Sequence, residues 1–163
     1  MDMILHSSTY FDIPSQDPHG FSDNVVKTLM DPMLNKGHIL YTDNYYTSLL
    51  LTRILLDHTT GVCGTVKTHR RKMPVFGIDI AVGKCQLRMC DQMLSVRWRD
   101  RHEVNMLITI HTGAMLESGK VNFATKLPMN KPDWVINHNV NMCLVYKCAM
   151  MVGAVKCVQK YVK

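Results

Sequence analysis

The run ILYTDNYYTS, residues 39–48, decides the fold. The apolar stretch HILYT, residues 38–42, ends in a single acid, Asp43. Asn44, Tyr45 and Tyr46 follow at once, and then the helix-starting pair Thr47 and Ser48. A short, continuous apolar run bounded by turn residues reads as a buried strand, central in a parallel sheet. An acid where such a strand runs out has two readings. It caps a turn, or it is one member of a carboxylate set that holds metal ions.

The flanks support the strand. Downstream, TSLLLTRILLDH (47–58) reads as a helix capped by Thr47 or Ser48, with Leu50, Leu51, Ile54 and Leu55 facing inward. TGVCGTV (60–66) is the next strand. Strand, helix and strand with short connections describe a right-handed crossover between parallel strands. In such sheets ligands sit beyond the carboxyl ends of the strands, where Asp43 lies. Upstream, FSDNVVKTLMDPMLNKG (21–37) reads as a helix. Ser22 is its expected cap, Val25, Val26, Leu29 and Met30 its apolar stripe, and Gly37 its stop, with a kink or end near Asp31 because of Pro32. Residues 1–6 read as a short strand and 7–20 as a polar loop.

Beyond KTHRRKMP (67–74) the texture changes to β-hairpins. CQLRMC (85–90), MLSVRWRD (93–100) and EVNMLITIHT (103–112) are the expected strands, with RDRH (99–102) as a turn. Residues 121–133, with Pro128 and Pro132, read as loop. Residues 139–163 read as one helix, because Met151, Val155, Val158 and Val162 make a single apolar stripe.

Composition bounds the function. A chain of 163 residues, 47% hydrophobic and 20% charged, suits one globular domain. No apolar run is long enough to cross a bilayer, so no membrane partner is expected. The opening MDMILHSSTY has no basic n-region, so no secretory signal is expected. Cys63, Cys85, Cys90, Cys143, Cys148 and Cys157 form no C-x-x-C pair. They read as reduced thiols of a nuclear or cytosolic protein, with zinc binding the competing reading. Nineteen Lys and Arg against 13 Asp and Glu give a net charge of +6, which favours acidic partners such as nucleic acid. After Asp133 no acid remains, while Lys147, Lys156, Lys160 and Lys163 do.

Two clusters could meet DNA. Lys67, Arg70, Arg71 and Lys72 lie just past a strand and either contact phosphates or form a solvated basic loop; the same run could serve as a nuclear localisation patch. In RWRDR, Arg97, Arg99 and Arg101 surround Trp98. Either this Trp stacks on bases, or it packs in a sheet while the arginines face water.

These segments resemble, in order, the piggyBac-type transposases. LNKGHILYTDNYYTS, GVCGTVKTHRRKMP, VRWRDRHEVNMLITIHT and KPDWVINHNVNM carry the likeness, and DMILHSSTYFDIPSQDPHGFSDNVVKTL is similar to the stretch before them. The resemblance implies an α/β, partial ribonuclease H-like fold. It divides into core at 1–75, a β-rich insertion at 76–133 and a last core helix at 134–163. It also implies DNA hydrolysis and strand transfer by three acids with two magnesium ions. Asp43 matches the second acid. The acids of the third motif, G-V-D-x-x-D, fall on Tyr146 and Ala149, and Lys147 places a positive charge beside them. A phenol is uncharged near neutral pH and replaces no carboxylate. The first acid is expected upstream of this chain, with Asp2 an ordinary strand-end residue.

The resulting expectation is a transposable element-derived, nuclear protein that is not an enzyme and binds no metal productively. It would keep Asp43 as a vestigial ligand and at most non-specific DNA binding. The alternatives are a domesticated DNA- or chromatin-binding module, and a transposase subunit completed by a partner chain. Missing first strands would also leave an apolar edge on HILYT and GVCGTV, open to association.

Overall fold

The computed structural model describes residues 20–77, 79–110, 114–121, 126–152 and 158–160, with the backbone alone over 144–152 and 158–160. The expected strand at 1–6, Asp2 and most of the loop 7–20 lie outside the described residues. The chain divides into two compact units, Met1–Thr109 with Val158–Lys163, and Ile110–Cys157.

In the first unit, helix α1 (Phe21–Met30) begins at Gly20, not at Ser22, and no side chain caps it. It ends where expected. Pro32 cannot donate an amide to continue the helix, and a single 3-10 turn, Asp31–Met33, closes it. Only Val26 and Met30 of the expected stripe are buried, together with Asp23, while Leu29 is exposed. Strand β1 (His38–Thr42), helix α2 (Leu49–Asp57) and strand β2 (Gly61–Thr65) form the crossover, with β1 and β2 parallel and Leu40 opposite Val62. Ser48 caps α2 by accepting the Leu51 amide at 3.1 Å. Val26, Met30, Leu40, Leu51, Leu55 and Val62 make one apolar cluster, which fastens both helices to the same sheet face. Each such side chain, fully buried, stabilises by about 1.5–3 kcal/mol.

Strands β3 (Cys85–Cys90), β4 (Met93–Arg99) and β5 (Glu103–Ile108) form an antiparallel meander. β5 pairs antiparallel with β2, Cys63 facing Ile108, so the meander extends the sheet that β1 and β2 begin. The last strand, β8 (Val158–Lys160), pairs antiparallel with β1. The sheet order is therefore β3-β4-β5-β2-β1-β8.

This order corrects two expectations. The edges of HILYT and GVCGTV are not open: β5 takes the free side of β2, and β8 takes that of β1. The single helix over 139–163 also breaks up. The stretch around Val158 is rich in β-branched residues, and pairing with a waiting backbone edge outweighs a helical stripe there.

In the second unit, β6 (Met115–Val121) and β7 (Pro128–Pro132) form a hairpin, Met115 opposite Pro132 and Val121 opposite Pro128. The segment 121–133 is thus not all loop. Its prolines sit at the two ends of β7, where a missing amide costs least. Helix α3 (Asp133–Val152) starts directly after it, with Asp133 Oδ1 accepting the Trp134 amide at 2.7 Å. Trp134 is fully buried. The described molecule is mixed α/β.

Candidate functional site

Asp43 stands at the carboxyl end of β1 and is half-buried. Its Oδ1 accepts the Tyr45 amide at 3.0 Å and the Tyr46 amide at 3.4 Å. The capping role is therefore present in the geometry. The turn is braced from within, since the Asp43 carbonyl accepts both the Thr47 amide at 3.1 Å and the Thr47 hydroxyl at 2.7 Å. That hydroxyl has spent its hydrogen, so Thr42 donates to it across 2.8 Å. β2 runs close beneath. A Cβ on Gly64 would lie 2.5 Å from Thr47 Oγ1, so only glycine lets the strand pass.

Two further elements hold the turn from outside. Ser48 donates to Asp23 Oδ2 of α1 at 2.8 Å. Arg70, from the segment after β2, donates through Nη2 to the Tyr45 carbonyl at 3.1 Å and to Ser22 Oγ at 3.3 Å. Lys67 Nζ lies over the Tyr45 ring, 6.0 Å from its centre, and Tyr45 meets Tyr46 edge to face.

Beside the turn opens a cleft of about 660 Å³. Asn44 lines it with Lys67, Arg70, Arg71, His69 and Glu103. The fold thus brings three of the four residues of the first basic cluster together, next to the residue that follows Asp43. Lys67 and Arg71 are exposed, Arg70 and Lys72 half-buried. Lys72 adopts φ +65° and does not line the cleft.

The second cluster is put to other uses. Trp98 is 3% exposed within the sheet, so it packs and does not present a face for stacking. Arg97 grips Glu103 through Nε and Nη2 and donates from Nη1 to the Gly77 carbonyl at 2.7 Å. This guanidinium fork holds the Glu103 carboxyl below its ordinary range, and the carboxylate in turn raises Arg97. Arg99 donates to the Ile80 carbonyl at 3.0 Å. Arg101 is exposed. Tyr146 and Ala149 fall within α3, and their side chains lie outside the described set.

Sequence reasoning missed Ser22, Asp23 and Gly64 as supports of the turn. The partners of Ser22 and Asp23 are distant in the chain, and Gly64 looks like any small strand residue, so no local pattern marks them.

The described residues do not by themselves fit a two-metal centre. Among them no three His, Cys, Asp or Glu side chains come together as metal ligands, and Asp43 already gives one oxygen to its turn. No helix among them is long and apolar enough to cross a membrane.

A family model described as Transposase IS4 matches residues 2–162. The chain also superposes on the piggyBac transposase in the cryo-EM structure of its synaptic complex with hairpin DNA, with a TM-score of 0.65 and 21% identity. That likeness covers 91% of this chain and 31% of the other, so this chain spans less than a third of that transposase. At this identity the likeness speaks for the fold. The family match overturns the expectation of a non-enzyme. It runs past both Tyr146 and Ala149, and the family is one of DNA-cutting enzymes. The resemblance to piggyBac-type transposases holds, and the chain belongs to the Transposase IS4 family.

Proposed function

We propose that this chain forms part of a transposase catalytic domain of ribonuclease H-like fold, and that the cleft beside Asp43 receives the phosphate backbone of DNA. The observation that carries this reading is the convergence of the exposed Lys67 and Arg71 with Asn44 at the carboxyl end of a parallel strand pair. Crevices at that end of such sheets are where ligands bind. Exposed cations there neutralise phosphates and release counterions, without reading base sequence. The net charge of +6 adds a long-range attraction. A DNA substrate and the basic run 67–72 also fit a nuclear location.

Asp43 is proposed as one carboxylate of the family's cation-holding set. The others would come from residues outside the described ones, from more of a longer protein or from a partner chain. No step of strand cleavage is assigned to the described residues alone.

Anisotropy of a labelled short duplex, titrated with the chain at several salt concentrations, tests the binding. Affinity should fall with salt, and Lys67→Ala or Arg71→Ala should each reduce the log–log slope by about 1. No binding at low salt refutes the reading.

A further inference from the structure

We propose that Arg70 is a positioning residue, whose guanidinium fixes the direction of the Asp43 carboxylate and does not itself contact phosphate. Its functional meaning rests on the role given to Asp43 and the cleft above, but its geometry stands apart from that role.

Asp43 Oδ1 is held by the amides of Tyr45 and Tyr46. The Tyr46 amide and the Tyr45 carbonyl belong to one peptide unit, which is planar and trans, so they point in opposite directions. Arg70 Nη2 takes that carbonyl at 3.1 Å. A donor fixing one side of a rigid plane also fixes the N–H on the other side, and with it the carboxylate it meets. The same Nη2 reaches Ser22 Oγ at 3.3 Å, so the first turn of α1 sets where the guanidinium stands. The backbone around it is also pinned, the Arg70 amide to the Lys67 carbonyl at 2.9 Å and the Met73 amide to the Arg70 carbonyl at 3.1 Å. Arg70 is half-buried where Lys67 and Arg71 are exposed. A guanidinium whose Nη2 is held by both Ser22 and the Tyr45 carbonyl is tethered to the protein and poorly placed to follow a phosphate. Hydrogen bonds from a charged donor are the stronger kind, which suits a clamp on a turn.

Both bonds leave from a single nitrogen. An ammonium, with three donors on one nitrogen, can remake them, whereas a thioether makes neither. Arg70→Lys should therefore preserve the clamp and Arg70→Met abolish it.

The test is amide hydrogen exchange on the full chain without DNA, followed by the salt series with DNA. In Arg70→Met, exchange at Tyr45 and Tyr46 should quicken about tenfold, the scale of one lost charged hydrogen bond. The Val62 and Cys63 amides of β2 should keep the parent rate, and Arg70→Lys should restore Tyr45 and Tyr46. Ser22→Ala, a milder change, should quicken the same two amides by a smaller factor. Unchanged Tyr45 and Tyr46 rates in either variant overturn the proposal. So does an equal rise in β2, which marks a general packing role. In the DNA arm, Arg70→Met should keep the parent salt slope, and a loss of about 1 makes Arg70 a phosphate contact and overturns it. A parent chain that binds no DNA refutes the cleft's role and leaves the exchange result standing.

Discussion

Ser48 joins two helices through one oxygen, donating to Asp23 Oδ2 at 2.8 Å while accepting the Leu51 amide at 3.1 Å. Asp23 is only 5% exposed, and its Oδ1 finds no hydrogen bond among the described residues. A buried carboxylate therefore leans on this hydroxyl, and the favourable N-terminal end of α2 adds to the hold. The consequence reaches the candidate site, because Ser48 closes the stretch that Asp43 opens.

Ser48→Ala should lower the unfolding free energy by roughly 1–3 kcal/mol. It removes a helix cap and also strips a buried carboxylate of its donor. Urea denaturation measures it. A loss no larger than that of an exposed serine would show that Asp23 draws its support from elsewhere.

Gly64→Ala should destabilise by about 1–3 kcal/mol, the cost of forcing an extra methyl into a filled space. The new Cβ would press on both hydroxyls of the Thr42–Thr47 pair, so the Asp43 turn should shift with it. A thermal melt and the amide chemical shifts of Asn44 and Tyr45 record the two effects. Unchanged shifts alongside a lowered melting point would separate the strand from the turn.

Trp98→Ala should cost about 3–5 kcal/mol, as for other buried aromatics, and Trp98→Phe much less. If Trp98→Phe keeps its fold, it should bind the same duplex as the parent. A selective loss of DNA affinity in that variant would restore the stacking role that its burial denies.

The Arg97–Glu103 pair should be sensitive to acid. The folded carboxyl is held below its ordinary value by the Arg97 hydrogen bonds, so its contribution is present above the unfolded value, near 4.5. It is lost as pH falls through the folded one. Glu103→Gln should therefore lie below the parent in urea midpoint at neutral pH and meet it under acid conditions. The gap should be about 1 kcal/mol for a pair at the protein surface. A gap that widens on acidification reverses the sign and rules the pair out as its source.

The sequence by itself determined the strand–helix–strand crossover, the three strands of the meander and the family. Apolar HILYT and GVCGTV, with the Ser48-capped leucines between them, suffice for the parallel crossover and for placing Asp43 at a strand end. Hydrophobic period and capping chemistry act over a few residues, so they are written locally. Only the tertiary structure decided what closes the sheet and what holds the turn. β5 lies against β2 and Val158–Lys160 against β1 because unpaired strand backbone is costly to leave open, whatever stripe the segment could have shown as a helix. Trp98 was buried, and Ser22, Asp23 and Arg70 gathered around the Asp43 turn, by contacts between residues far apart in the chain. Such contacts depend on the whole packing, and no short window of sequence contains them.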